Sequence, residues 1–189
     1  MKVLKIVLIA VITVGLLIVL PLIVALFIGN DYSSKKEIII DKPVNEVFDY
    51  VKKLRNQDEF SVRQLLDTGI KKKFTGIDGT VGFIYAWESD IFESGTGEKE
   101  IKKIDENNRM DYESRLKEPW KLTAQSYFIT QSIAENENQT KVIWGSNGRI
   151  NYPTNILLLF WDSDVIIGND LAKSLANLKK ILEEQHSSQ

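Results

Sequence analysis

Ile167-Gly168-Asn169-Asp170-Leu171-Ala172-Lys173-Ser174-Leu175-Ala176-Asn177-Leu178-Lys179-Lys180-Ile181-Leu182 puts Ile167, Leu171, Leu175, Leu178 and Leu182 at steps of four, four, three and four. That spacing is one continuous apolar stripe on a helix, and a stripe of this kind needs a surface to cover. The reading places a last helix over Asn155 to Glu184, with residues 156–161 apolar on all sides. Upstream, from about residue 68, the apolar period changes to two. Val81, Phe83, Tyr85 and Trp87 alternate with Gly82, Ile84, Ala86 and Glu88, and either set could face inward. Glu98 to Ile104 follows the turn Ser94-Gly95-Thr96-Gly97. Met110, Tyr112, Ser114 and Leu116 alternate with Asp111, Glu113 and Arg115, the pattern of a strand wet on one side. Leu122 to Ile133 is a long strand, Asn136-Glu137-Asn138-Gln139 a turn, and Lys141 to Ile150 the last strand. Successive strands joined by short turns make an antiparallel sheet. The fold class is therefore α+β, a curved antiparallel sheet wrapped around the long C-terminal helix.

The start of the domain fits this plan. Lys36 to Ile40 reads as a first strand after a polar linker at residues 30–35. Asp41 is a candidate helix cap, with Pro43 in the first turn and Val44, Val47, Phe48 and Val51 at helical spacing as far as Leu54. Glu59 to Leu66 reads as a second, shorter helix. Three stretches, in order, resemble the START-like helix-grip superfamily, and within it the SRPBCC proteins of polyketide cyclase/dehydrase type. Ile38-Ile39-Ile40-Asp41-Lys42-Pro43-Val44-Asn45-Glu46-Val47-Phe48-Asp49-Tyr50-Val51 is similar to the family's opening strand and helix. Gly76-Ile77-Asp78-Gly79-Thr80-Val81-Gly82, followed by Tyr85-Ala86-Trp87, is similar to its glycine-bounded hairpin. Gly168-Asn169-Asp170-Leu171 through Leu175-Ala176-Asn177-Leu178-Lys179 resembles its last helix. The resemblance spans residues 36–184 and is far more specific for fold than for activity. It implies a cavity between sheet and last helix suited to an apolar ligand. Phe83, Tyr85, Trp87, Tyr112, Phe128, Trp144, Ile167 and Leu171 are the candidate lining, against the plainer reading that they fill a solid core.

Ahead of the domain, residues 3–28 are nearly all Val, Ile, Leu, Ala and Phe, interrupted by Lys5, Thr13, Gly15 and Pro21. About 20 apolar residues cross a bilayer, so residues 1–29 read as a single-pass transmembrane anchor. The apolar core is longer than that of a cleaved signal peptide, and Ala25-Leu26-Phe27-Ile28-Gly29-Asn30 offers no small-x-small exit. Lys2 and Lys5 at the N-terminal end of the anchor nearly balance Lys35 and Lys36 after it; a cytoplasmic N-terminus, with the domain outside the cytoplasm, is the expected orientation. The domain occupies 36–185, with a polar tail at 186–189.

The chemistry is mostly defined by exclusion. Without the two anchor lysines the chain holds 22 basic and 26 acidic residues, a mixed net −4, unlike the basic footprint of a nucleic-acid binder. Lys71-Lys72-Lys73 reads as a solvated strand end. There is no cysteine, and the single histidine, His186, sits in the tail. Thiolate nucleophiles, histidine triads and Cys/His metal sites are thereby set aside, and no metal or cofactor is expected. No catalytic-grade motif is present. Relatives of the resembled fold include cyclases and dehydratases, so Glu88, Asp90, Glu93, Arg115, Tyr85 and Tyr112 are the acid-base candidates if the domain is an enzyme, with Glu88-Ser89-Asp90 more plausible as an exposed loop. Asn138-Gln139-Thr140 matches the glycosylation pattern by chance. The leading expectation is a membrane-tethered binding protein for a lipid or other hydrophobic small molecule. The alternatives are a cyclase/dehydratase-like enzyme using a buried Glu or Tyr, or a non-catalytic partner-binding module.

Overall fold

The computed structural model describes residues 2–119, 121–133, 136–160 and 162–184. Helix α1 spans Lys2–Ala25; strand β1 Asp31–Ile40; helices α2 Val44–Val51, α3 Gln57–Phe60 and α4 Val62–Leu65; strands β2 Lys71–Thr75, β3 Ile84–Glu88, β4 Thr96–Asp105, β5 Arg109–Glu118, β6 Leu122–Ile133 and β7 Asn136–Arg149; and helix α5 Ser163–Glu184. All seven strands form one antiparallel sheet in the order β1-β7-β6-β5-β4-β3-β2. From β2 to β7 the sheet is a meander. The crossing from β1 at one edge to β2 at the other is made by α2, α3 and α4. Helix α5 lays its stripe on the inner face, with Leu171, Leu175, Leu178 and Leu182 buried. The fold is a helix-grip-like α+β arrangement.

The inner face of β3 is the aromatic one: Phe83, Tyr85 and Trp87 are buried, while Ile84 and Ala86 are half-exposed. Opposite, Phe60 makes edge-to-face contacts with Phe128 and Trp144 at 6.3 and 5.7 Å between centroids, and Phe128 and Trp144 approach to 4.6 Å. The outer face is wet and charged. Arg115 holds Glu98 at 2.9 Å and Glu100 at 2.8 Å and also pairs with Glu113, and Lys117 holds Glu98 at 2.6 Å. These cross-strand ion pairs keep Glu98 ionised: the Lys117 and Arg115 hydrogen bonds hold its carboxyl below the ordinary range.

Several boundaries differ from the sequence reading, each for a local reason. The expected linker at 30–35 is mostly strand. β1 starts at Asp31 because β7 is long enough to pair it, with Tyr32 opposite Gly148 and Asp31 opposite Arg149. A Cβ at Gly148 would lie 2.2 Å from the Tyr32 hydroxyl oxygen, so the bare glycine gives that ring its seat. Asp41 does not cap α2. Pro43 takes the cap position without a side-chain bond, and the Asp41 carboxylate accepts from Gln139 Nε2 at 2.6 Å. The expected helix over Glu59–Leu66 is two short helices, α3 and α4, divided at Ser61, whose backbone is extended. Residues 136–139 belong to β7, not to a turn. The last helix is also broken. Thr154–Leu159 is a 3-10 turn, and α5 begins at Ser163, where Asp162 Oδ1 accepts the Asp164 and Val165 backbone N–H at 2.9 and 3.4 Å. Trp161 and the tail with His186 lie outside the described residues.

At the other end, α1 packs none of its residues into the domain except Ala25. It is long and apolar enough to cross a membrane or to act as a signal sequence. The junction below it is ordered by Asn155, which is buried and donates through Nδ2 to the carbonyls of Ala25 and Ile28 at 2.8 and 3.0 Å.

Candidate ligand pocket

Between the inner face and the first half of α5 the packing is incomplete and leaves a pocket of about 530 Å³, within the roughly 300–1,000 Å³ typical of small-molecule sites. Strands β5, β6 and β7 supply Tyr112, Ser114, Leu116, Leu122, Ala124, Ser126, Trp144 and Ser146. Helix α5 closes one side with Ile167, Leu171 and Ser174, while β3 and β4 bring Trp87 and Lys99 to the other. The cause lies in side-chain size: Ser114, Ala124, Ser126 and Ser146 stand at inward positions where bulk would be needed to meet the helix. Exposed Leu66, Phe92 and Pro119 stand at the rim.

Of the eight residues expected to line a cavity, Trp87, Tyr112, Trp144, Ile167 and Leu171 are in its wall. Phe83, Tyr85 and Phe128 are not. They form the packed floor beside it, with Phe74 stacked on Phe83 and edge-on to Tyr85. The acid-base candidates do not converge. Glu88 is exposed at the end of β3, 3.5 Å from Lys71, and Asp90 is exposed. Glu93 lines the rim, exposed to solvent, and Arg115 is on the outer face. Tyr85 donates to Asp58 at 2.5 Å, and burial together with that bond raises its pKa. Tyr112 accepts from Trp144 Nε1 at 3.0 Å, and burial pushes it up to about 12. A phenol held there is a poor proton shuttle near neutrality.

The residue that the sequence reading passed over is Lys99. Its ammonium is in the pocket wall, 5.7 Å from the Tyr85 ring centroid and 5.6 Å from that of Trp87. Among the described residues its hydrogen-bond acceptor is Gln57 Oε1, at 2.6 Å. Desolvation by burial lowers its pKa to about 8, against a smaller pull upward from Asp58. The signal was there in the parity of β4. Gly97, Lys99 and Ile101 share a face, opposite Glu98 and Glu100, so the burial of Gly97 and Ile101 carries Lys99 inward with them.

No protein-family model matches the chain, and neither does any curated protein. Solved structures do match. A hypothetical protein from Helicobacter pylori superposes with a TM-score of 0.60 at 10% identity, covering 80% of this chain and 88% of that one. A protein from Rhizobium loti gives 0.58 at 13% identity, covering 79% and 96%, and one from Nitrosospira multiformis gives 0.55 at 15%, covering 79% and 94%. Identities this low speak for fold and not for activity. The domain thus shares its helix-grip-like architecture, an antiparallel sheet closed by a long C-terminal helix, with a broad set of proteins of known structure.

Proposed function

We propose that the protein is a membrane-tethered binding protein for a lipid or other hydrophobic small molecule, held in the pocket between the sheet and α5. The observation that supports this is the position of the pocket relative to the N-terminal helix. Tyr32, in the pocket wall, follows the end of α1 at Ala25 by only seven residues. Ile167, also in the wall, directly follows the exposed Val165 and Ile166. On the two segments that Asn155 clamps together, Phe27, Leu157, Leu159 and Phe160 are exposed apolar side chains. Pocket, apolar surface and membrane-length helix therefore occupy one end of the domain. A tether there holds the pocket close to a two-dimensional store of apolar molecules and raises their effective concentration. The START-like, SRPBCC kinship suggested by the sequence motifs is in keeping with such a role. The cyclase-like alternative calls for a buried Glu or Tyr; the pocket's described wall contains exposed Glu93, half-buried Asp170 paired with Arg63 at 2.9 Å, and buried Tyr112, whose pKa burial raises to about 12.

The test is occupancy. The full chain in neutral detergent is expected to bind the apolar fluorophore N-phenyl-1-naphthylamine, and Ala124→Trp, which fills the pocket from β6, to weaken that binding at least tenfold. Equal binding by the two proteins would place the probe elsewhere and remove the proposal. Orientation can be read separately, because the chain has no native cysteine. With the domain outside the cytoplasm, a single cysteine introduced at exposed Thr68 is expected to react with a membrane-impermeant maleimide in intact cells. Labelling only after lysis would reverse the assignment.

A further inference from the structure

The pocket is apolar along most of its wall but not electrically neutral. Lys99 brings an ammonium into it, and among the described residues no carboxylate lies within ion-pairing distance of that nitrogen. The nearby charges are already engaged. Asp58 is paired with Lys72 at 2.9 Å and accepts the Tyr85 hydroxyl. Arg63, at the rim, is paired with Asp170. Beside Lys99, the Gln57 side chain uses its oxygen to accept from the ammonium, and its Nε2, fully buried, has no hydrogen-bond partner. The Gln57 side chain sits behind the pocket wall, beside the Tyr112 hydroxyl, which is in the wall. A desolvated cation with no counter-ion among the described residues is costly, and what it lacks is an acceptor with negative charge.

We infer that the pocket takes an acidic amphiphile, a molecule with an apolar body and a single carboxylate that docks on Lys99, with the Tyr112 hydroxyl as the neighbouring donor. This deepens the proposed function and rests on it. A carboxylate is favoured over a phosphate because one unpaired cation is available, enough to balance a monoanion and too little for a doubly charged group. The aromatic faces of Trp87 and Tyr85 flank the ammonium and keep it positioned when the pocket is empty. The depressed pKa of about 8 agrees with an ammonium that lacks a counter-ion.

The experiment compares cis-parinaric acid with its methyl ester on the full chain in neutral-detergent micelles at pH 7. Energy transfer from the protein's tryptophans, of which Trp87 and Trp144 line the pocket, reports binding. The wild type is expected to prefer the acid at least tenfold, and Lys99→Met to bring the ratio below threefold by weakening the acid alone. Lys99→Arg, which keeps the charge, is expected to retain a preference for the acid, and it serves if the methionine variant does not fold. Equal binding of acid and ester by the wild type overturns the inference and leaves the binding role standing. An acid preference unchanged in Lys99→Met overturns it too, because another cation would be responsible. Binding of neither probe overturns both readings.

Discussion

Phe128→Ala is expected to lower the stability of the domain by about 3–5 kcal/mol in urea titrations of the detergent-solubilised chain followed by tryptophan fluorescence. Phe128 is fully buried and touches three other buried rings: Trp144 at 4.6 Å, Phe60 at 6.3 Å and Tyr112 at 6.3 Å between centroids. These rings come from β6, β7, α3 and β5, so one side chain joins three strands to the short helices that bridge the sheet edges. The hole left by truncation cannot collapse easily, because the neighbours are rigid aromatics fixed by their own partners, such as the bond from Trp144 Nε1 to Tyr112. The adjacent Tyr127 provides the contrast. It faces outward, lies across Gly145 and stacks with Arg109 at 4.4 Å. Tyr127→Ala is expected to cost only about 1 kcal/mol, the scale of an exposed cross-strand or cation–π contact. If the two variants cost the same, the inner and outer faces of β6 have been assigned wrongly.

That contrast also shows which features could be read in advance. Alternation gave the faces of β5 directly, because Asp111, Glu113 and Arg115 stand on the wet side, whereas in β6 the inner face carries Ser126 and Thr130 and the outer Tyr127 and Ile129. β3 was ambiguous, since Ile84 and Ala86 are apolar as well; it took the pairing of Phe74 with Tyr85 across β2 and β3 to settle the matter. Helix ends were misplaced for local reasons: Asp41 accepts from distant Gln139 and does not cap α2, Ser61 is extended between α3 and α4, and Asp162 starts α5 late by accepting the Asp164 N–H. The cavity itself could not be read from the aromatics. Its existence depends on the small residues Ser114, Ala124, Ser126 and Ser146 coming into line across three strands, and that alignment requires the register. Lys99 was hidden for a different reason. Lysine inside a run of charges reads as solvent-facing, and only the inward parity of Gly97 and Ile101 says otherwise.

Lys99→Met is also expected to change the stability of the empty domain, in the direction opposite to most core substitutions. At pH 7 the wild type keeps an ammonium in a site where desolvation penalises it. A shift from about 10.5 to about 8 corresponds to roughly 3 kcal/mol at about 1.4 kcal/mol per unit. Methionine fills similar volume without the charge, and against this gain stands the lost bond to Gln57 Oε1, about 1 kcal/mol. The variant should therefore unfold at higher urea than the wild type. The difference should also depend on pH in a definite sense. Between pH 8 and 10 the folded protein has released the Lys99 proton while the unfolded chain still holds it, so the wild type gains stability as pH rises, by about 2 kcal/mol across that window. The groups facing Lys99 are Asp58 on α3, Arg63 on α4, Tyr85 on β3 and Tyr112 on β5. Of these, the tyrosines, with pKa values raised by burial, begin to act only above about pH 10, where the unfolded chain loses its phenolic protons first and stability falls again. Lys99→Met lacks the rise between pH 8 and 10 and should therefore run flat there, with its advantage shrinking toward pH 10. A parallel pair of pH profiles would mean that the Lys99 ammonium is fully hydrated, and the stored cost that makes it a receptor for a carboxylate would be absent. If the profiles converge, the site is destabilising when empty, as expected of a charge whose partner is a ligand and not part of the fold.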